Sequence, residues 1–115
     1  QRQVRPCGQG VVDWDALLSI VGEHAPDLNL SIEDHKGLMA IPIFDPTWQA
    51  AHPDLTAAEL AQVVRLAWEC EQKIATGAMM APRDYEAIPF AEQRDERLAA
   101  AVGYLRDVIR RQGLA

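Results

Sequence analysis

Apolar side chains recur along this chain with two different periods. Trp14, Leu17, Leu18 and Val21 stand at i, i+3, i+4 and i+7, one face of a helix, and Asp13 just ahead of them is a good N-cap. Pro26 disfavours a helical residue before it, so this helix ends between Gly22 and Ala25. Leu28, Leu30 and Ile32 then alternate with Asn29, Ser31 and Glu33, which predicts a strand over residues 28–33. The stretch "PIFDPTWQAAHP", residues 42–53, holds three prolines and reads as a loop with one helical turn near Trp48. Next comes a complete helix start: Thr56 and Glu59 form a capping box, and Leu55 and Leu60 sit where a hydrophobic staple would. The helix it opens carries Leu60, Val63, Val64, Ala67, Trp68 and Ile74 and stops at Gly77. After a second loop, "GAMMAPRDYEAIP", a last helix begins near Ala91. It puts Leu98, Ala101, Val102, Leu105 and Ile109 on one face, with Gly113 after it.

The fold class is therefore mainly α with one short strand, the first ten residues being loop. That single strand is a difficulty, because its main-chain N–H and C=O groups need partners if it enters a core. Either residues 28–33 are not a strand, or they pair with something outside these residues.

Composition narrows the classes. The chain has 115 residues, 49% hydrophobic and 24% charged, enough for one ordinary domain. No apolar run approaches the ~18 residues of a spanning helix, and the N-terminus lacks a signal-peptide layout, so we expect a cytoplasmic protein and no membrane partner. A net charge of −6 argues against nucleic acid, which is bound by Lys and Arg neutralising phosphates. The basic residues in "LRDVIRRQG" fit a last helical turn complementing the helix dipole. Cys7 and Cys70 have no CxxC spacing, and we expect inert thiols. There are no repeats and no low-complexity tract.

The order "RPCGQGVVDWDALLSIV", a short spacer and "LNLSIEDH", covering Arg5 to His35, resembles the end of the xylose-isomerase-like TIM-barrel superfamily of sugar phosphate isomerases and epimerases. The resemblance implies a loop after strand seven with the pattern Arg-x-x-Gly-x-Gly, here Arg5 to Gly10. It implies an eighth strand ending in a metal-binding glutamate, here Glu33. Such a barrel needs eight strands and ~250 residues. The chain would then be the C-terminal fragment of a (β/α)8 barrel, residues 1–41 its last helix-strand unit and 42–115 a helical extension of unspecified role. The start at Gln1, without methionine, agrees with truncation.

The site chemistry also follows from the resemblance. Glu33 would ligate a divalent cation (Mn, Mg, Co or Zn) and serve as acid/base on the carbon beside the sugar carbonyl, the metal stabilising the charge that proton removal creates. Arg5 would contact oxygens of a sugar or sugar phosphate. Asp34 and His35 have no counterpart in that family; beside Glu33 they would contact substrate phosphate or hydroxyls, or simply shape the loop. The family's other ligands lie on strands these residues do not include, so the fragment alone should be inactive. From the residues themselves His24 and His52 flank prolines and carry no role, and Asp45 and Asp54 belong to turns. Trp14, Trp68 and Leu105 read as core or interface anchors. A rival of another class is a small helical protein–protein interaction module without catalysis, and exposed apolar faces would make either version self-associate. A DNA-repair nuclease on the same barrel is disfavoured by the acidic charge.

Overall fold

Five helices account for most of the chain in the computed structural model, which describes residues 1–114. They are α1 (Trp14–His24), α2 (Pro46–Ala50), α3 (Ala57–Ala75), α4 (Pro82–Ala87) and α5 (Phe90–Gln112). The sheet is minimal: β1 (Arg2–Gln3) pairs antiparallel with β2 (Leu38–Met39), Arg2 opposite Met39 and Gln3 opposite Leu38. The mainly α class holds, and the residues gather into two compact units.

One unit comprises Gln1–Gln3 and Gly37–Ala87. Two of its helices start on side-chain caps, of which the sequence marks the one at Thr56; Asp45, expected in a turn, is the other. The Asp45 carboxylate accepts from the Trp48 N–H at 2.9 Å, opening α2 where a single turn was expected. At α3 the Thr56 hydroxyl accepts from the Glu59 N–H while the Glu59 carboxylate accepts from the Thr56 N–H at 2.8 Å, so the capping box is formed. The segment expected to be all loop before α5 contains α4, whose Tyr85 is buried. Pro82 at its first position carries no N–H that a helix would leave unpaired, a start signal hidden in the loop-like composition. Gln3 ties β1 to α4, donating to the Pro82 carbonyl and the Glu86 carboxylate, each at 2.9 Å. No residue of α3 is buried.

The other unit runs from Val4 to Lys36 and from Ile88 onward. Asp13 caps α1 through the Ala16 N–H at 3.0 Å, as its position predicts, and α1 packs on α5. Leu18 of α1 and Leu105 and Val108 of α5 form the core, with Cys7, Trp14, Ile32, Tyr104 and Ile109 partly buried against it. Gly8 has φ +84°, and a Cβ there would lie 2.5 Å from the Tyr104 ring, so backbone and ring meet where no side chain fits. Gly113 ends α5 in the left-handed conformation, φ +67°.

The expected strand over residues 28–33 is not formed among the described residues. Nothing pairs with it, and a lone strand's main-chain groups do better in water than unpaired in a core. Leu28 and Leu30 stay exposed, at 56% and 45%, while Ile32 turns in to the core, so the alternation does not resolve into one buried face.

Candidate functional site

The chemistry-bearing tripeptide Glu33-Asp34-His35 is held in place by a residue that charge alone would put on the surface. Continued one turn backward, the buried stripe of Ala101, Leu105 and Val108 lands on Arg97, which is only 3% exposed. A buried guanidinium needs a counter-charge and full hydrogen bonding, because desolvating it alone costs far more than packing returns. Asp34 supplies both. The Arg97 Nε donates to Asp34 Oδ2 at 2.9 Å and Nη2 to Oδ1 at 2.6 Å, a two-pronged bond to a carboxylate itself 8% exposed. Nη2 also donates to the His35 carbonyl at 2.9 Å. The Arg97 Cζ stands 5.9 Å from the centroid of the Phe90 ring, one further favourable contact for the cation. One residue further on, Lys36 donates to the Ile88 carbonyl at 2.5 Å.

Residues 34–36 are thus fastened to Arg97 within α5 and to Ile88 just ahead of it, whereas Glu33 and His35 are exposed on either side of the inward Asp34. Of the two uses open to Asp34, shaping the loop is the one the geometry realises. Arg5 is half-buried beside buried Pro6, in the loop that Gly8 turns. Cys7 follows it, and its thiol is pushed above the usual range by burial, with the Asp34 charge adding to the rise and a main-chain hydrogen bond opposing it. A thiol held protonated is a weak nucleophile and a weak metal ligand, in line with the inert reading.

A hard divalent cation asks for several oxygen donors. Asp34 is spent on Arg97, and among the described residues no group of three or more His, Cys, Asp or Glu could hold a metal. Within the tripeptide, the exposed carboxylate open to such a cation is Glu33. The donors therefore do not make a metal site by themselves.

In the other unit, Gln49, His52, Leu55, Thr56, Ala57 and Leu60 line an open groove of about 220 Å³. His52 stacks on Trp48 with ring centroids 4.0 Å apart and hydrogen-bonds its carbonyl through Nδ1 at 2.7 Å, so its ring completes a turn, as the neighbouring prolines suggest. Sequence reasoning passed over Arg97. The signal was available: a charged side chain four residues ahead of Ala101, in register with the buried face. No protein-family model matches the chain, and no curated protein and no solved structure matches it significantly.

Proposed function

We propose that this chain contributes the terminal-strand carboxylate, Glu33, to a metal-dependent sugar or sugar phosphate isomerase or epimerase barrel whose remaining ligands lie outside these residues. The observation that supports it is the treatment of the tripeptide: Asp34 is withdrawn into a buried ion pair, and Glu33 beside it is displayed to solvent at the end of an alternating, unpaired segment. A segment with exposed Leu28 and Leu30 and no ladder suits a strand whose neighbours come from elsewhere in a barrel. The reaction class comes from the resemblance of "RPCGQG" and "LNLSIEDH" to that superfamily.

In this reading Glu33 accepts and returns a proton at the carbon beside the sugar carbonyl, which an ionised carboxylate can do and an amide cannot. A cation bound in the complete barrel would stabilise negative charge on the substrate oxygens. Arg5 and His35 are proposed to meet substrate oxygens. The test is Glu33→Gln in the full-length protein that carries this chain, assayed on ketohexoses and their phosphates with manganese. Turnover falls by about 10²–10⁴ with an unchanged circular-dichroism spectrum; an undiminished rate overturns the proposal.

A second reading, a helical interaction module, draws on α3. Its Val63, Val64 and Trp68 are exposed, Trp68 at 59%, and a helix this well capped but unburied suits a surface that a partner or a second copy covers.

A further inference from the structure

We infer that Arg97 is the positioning residue for Glu33: the C-terminal helix α5 reaches back through it to set the direction in which the carboxylate is presented. The inference rests on the reading of Glu33 as the reacting carboxylate.

Three bonds from one guanidinium carry the argument. Nε and Nη2 grip the two oxygens of Asp34, which fixes the plane of that carboxylate, and Nη2 also holds the His35 carbonyl, which fixes the peptide that follows. With the side chain of residue 34 and its next peptide both set, the direction of its main chain is set as well. Lys36 adds a separate bond to the Ile88 carbonyl, so the strap does not pivot about Arg97. Glu33 lies immediately before this anchored stretch, so its main chain enters residue 34 from a held end, between that anchor and Ile32, which packs against the core. The anchor is rigid for a physical reason. Arg97 is a planar fork 3% exposed, with the Phe90 ring near its guanidinium, and water does not compete for its donors. A lysine would keep the charge and lose the fork, because one ammonium cannot hold both carboxylate oxygens in plane and a carbonyl as well.

This gives α5, through Arg97, a task in the chemistry without touching substrate. Misplacing a reacting group by about 1 Å can cost on the order of 10² in rate. The charge is not what does the placing, so charge-preserving variants isolate the geometry. Arg97→Lys and Asp34→Glu are made in the full-length protein and assayed on ketohexoses and their phosphates with manganese, with Glu33→Gln alongside. Nitrogen-relaxation order parameters of residues 33–36 are measured on the metal-free proteins, and thermal unfolding on all.

Both variants are expected to lower kcat about 10- to 100-fold with KM within about twofold, and to bring the order parameters of 34–36 below about 0.6, while the unfolding midpoint falls with the buried bonds that are lost. A variant that only loosened the fold would lower order parameters along α5 as well and would not split kcat from KM. Wild-type kcat in Arg97→Lys and Asp34→Glu, with Glu33→Gln inactive, overturns the positioning role and leaves the reading of Glu33 standing. An active Glu33→Gln overturns that reading, and this inference with it. If Arg97→Lys does not fold, Asp34→Glu, which keeps Arg97 intact and displaces its partner by one methylene, decides alone.

Discussion

Single residues decide more here than their types suggest. Gly8 belongs to the Arg-x-x-Gly-x-Gly pattern that carries the family resemblance, yet its local work is steric: φ is +84° and the Tyr104 ring lies where a Cβ would be. Gly8→Ala is therefore expected to cost about 1–3 kcal/mol, read as a lower urea midpoint at constant slope. Gly77, at φ +74° with open space around the position of a Cβ, is the natural comparison for a purely conformational effect. At Asp34 and Arg97 the lesson is about pairing. The sequence shows an acidic cluster and, sixty-three residues later, one arginine among many; nothing local joins them. The joining is tertiary, and what marks Arg97 is its helical register with Ala101 and Leu105 rather than its charge. Removing one member of such a buried pair typically costs about 3–5 kcal/mol, because the other is left uncompensated.

Elements were legible where local chemistry decides them. The starts of α1 and α3 rest on Asp13 and on the Thr56–Glu59 box, contacts spanning three residues, and both formed as the sequence predicts. The strand over residues 28–33 failed because a strand is a statement about a neighbour, and periodicity names no neighbour. Helix α4 was hidden by proline and glycine around it, and Tyr85 inside it is buried by contacts no short window contains. Three predictions belong at this scale. Thr56→Ala is expected to cost about 1 kcal/mol in chemical denaturation, through the lost cap, without touching Glu33. The Thr56 main-chain and hydroxyl bonds hold the Glu59 carboxyl below its ordinary range. A carboxyl depressed in the folded state contributes stability above its unfolded value and loses it as pH falls through the folded one. Acidification below the ordinary glutamate range therefore erodes the α3 start in the parent chain and less so in Thr56→Ala, as followed by helical circular dichroism. The bare face of α3 makes the third prediction: if it mediates self-association, Trp68→Glu lowers the sedimentation-derived association constant by an order of magnitude or more. Equal association of both proteins would remove α3 from the interface.

At the scale of the molecule, apolar surface is abundant and core is scarce. The fully buried apolar side chains are few, among them Leu18 and Val108, while Val11, Val12, Ile20, Phe44 and Trp68 are among those left in water. Among the described residues no helix is long and apolar enough to cross a membrane, so lipid spanning by a helix does not account for that surface. A chain that shows one carboxylate, anchors its neighbours and leaves apolar faces uncovered suits a part that another surface completes, which is the common element of both functional readings. For the barrel reading the completing surface must bring the other ligands, since the described residues assemble no metal-binding group. The central claim, that Glu33 is one ligand of a site finished elsewhere, is tested most directly by calorimetric titration with manganese. Three proteins are compared: the 115-residue chain, the full-length protein and its Glu33→Gln variant. The account predicts no micromolar site in the chain, one in the full-length protein, and its loss or marked weakening in the variant. A micromolar site in the chain alone, or an unchanged affinity in Glu33→Gln, would contradict it.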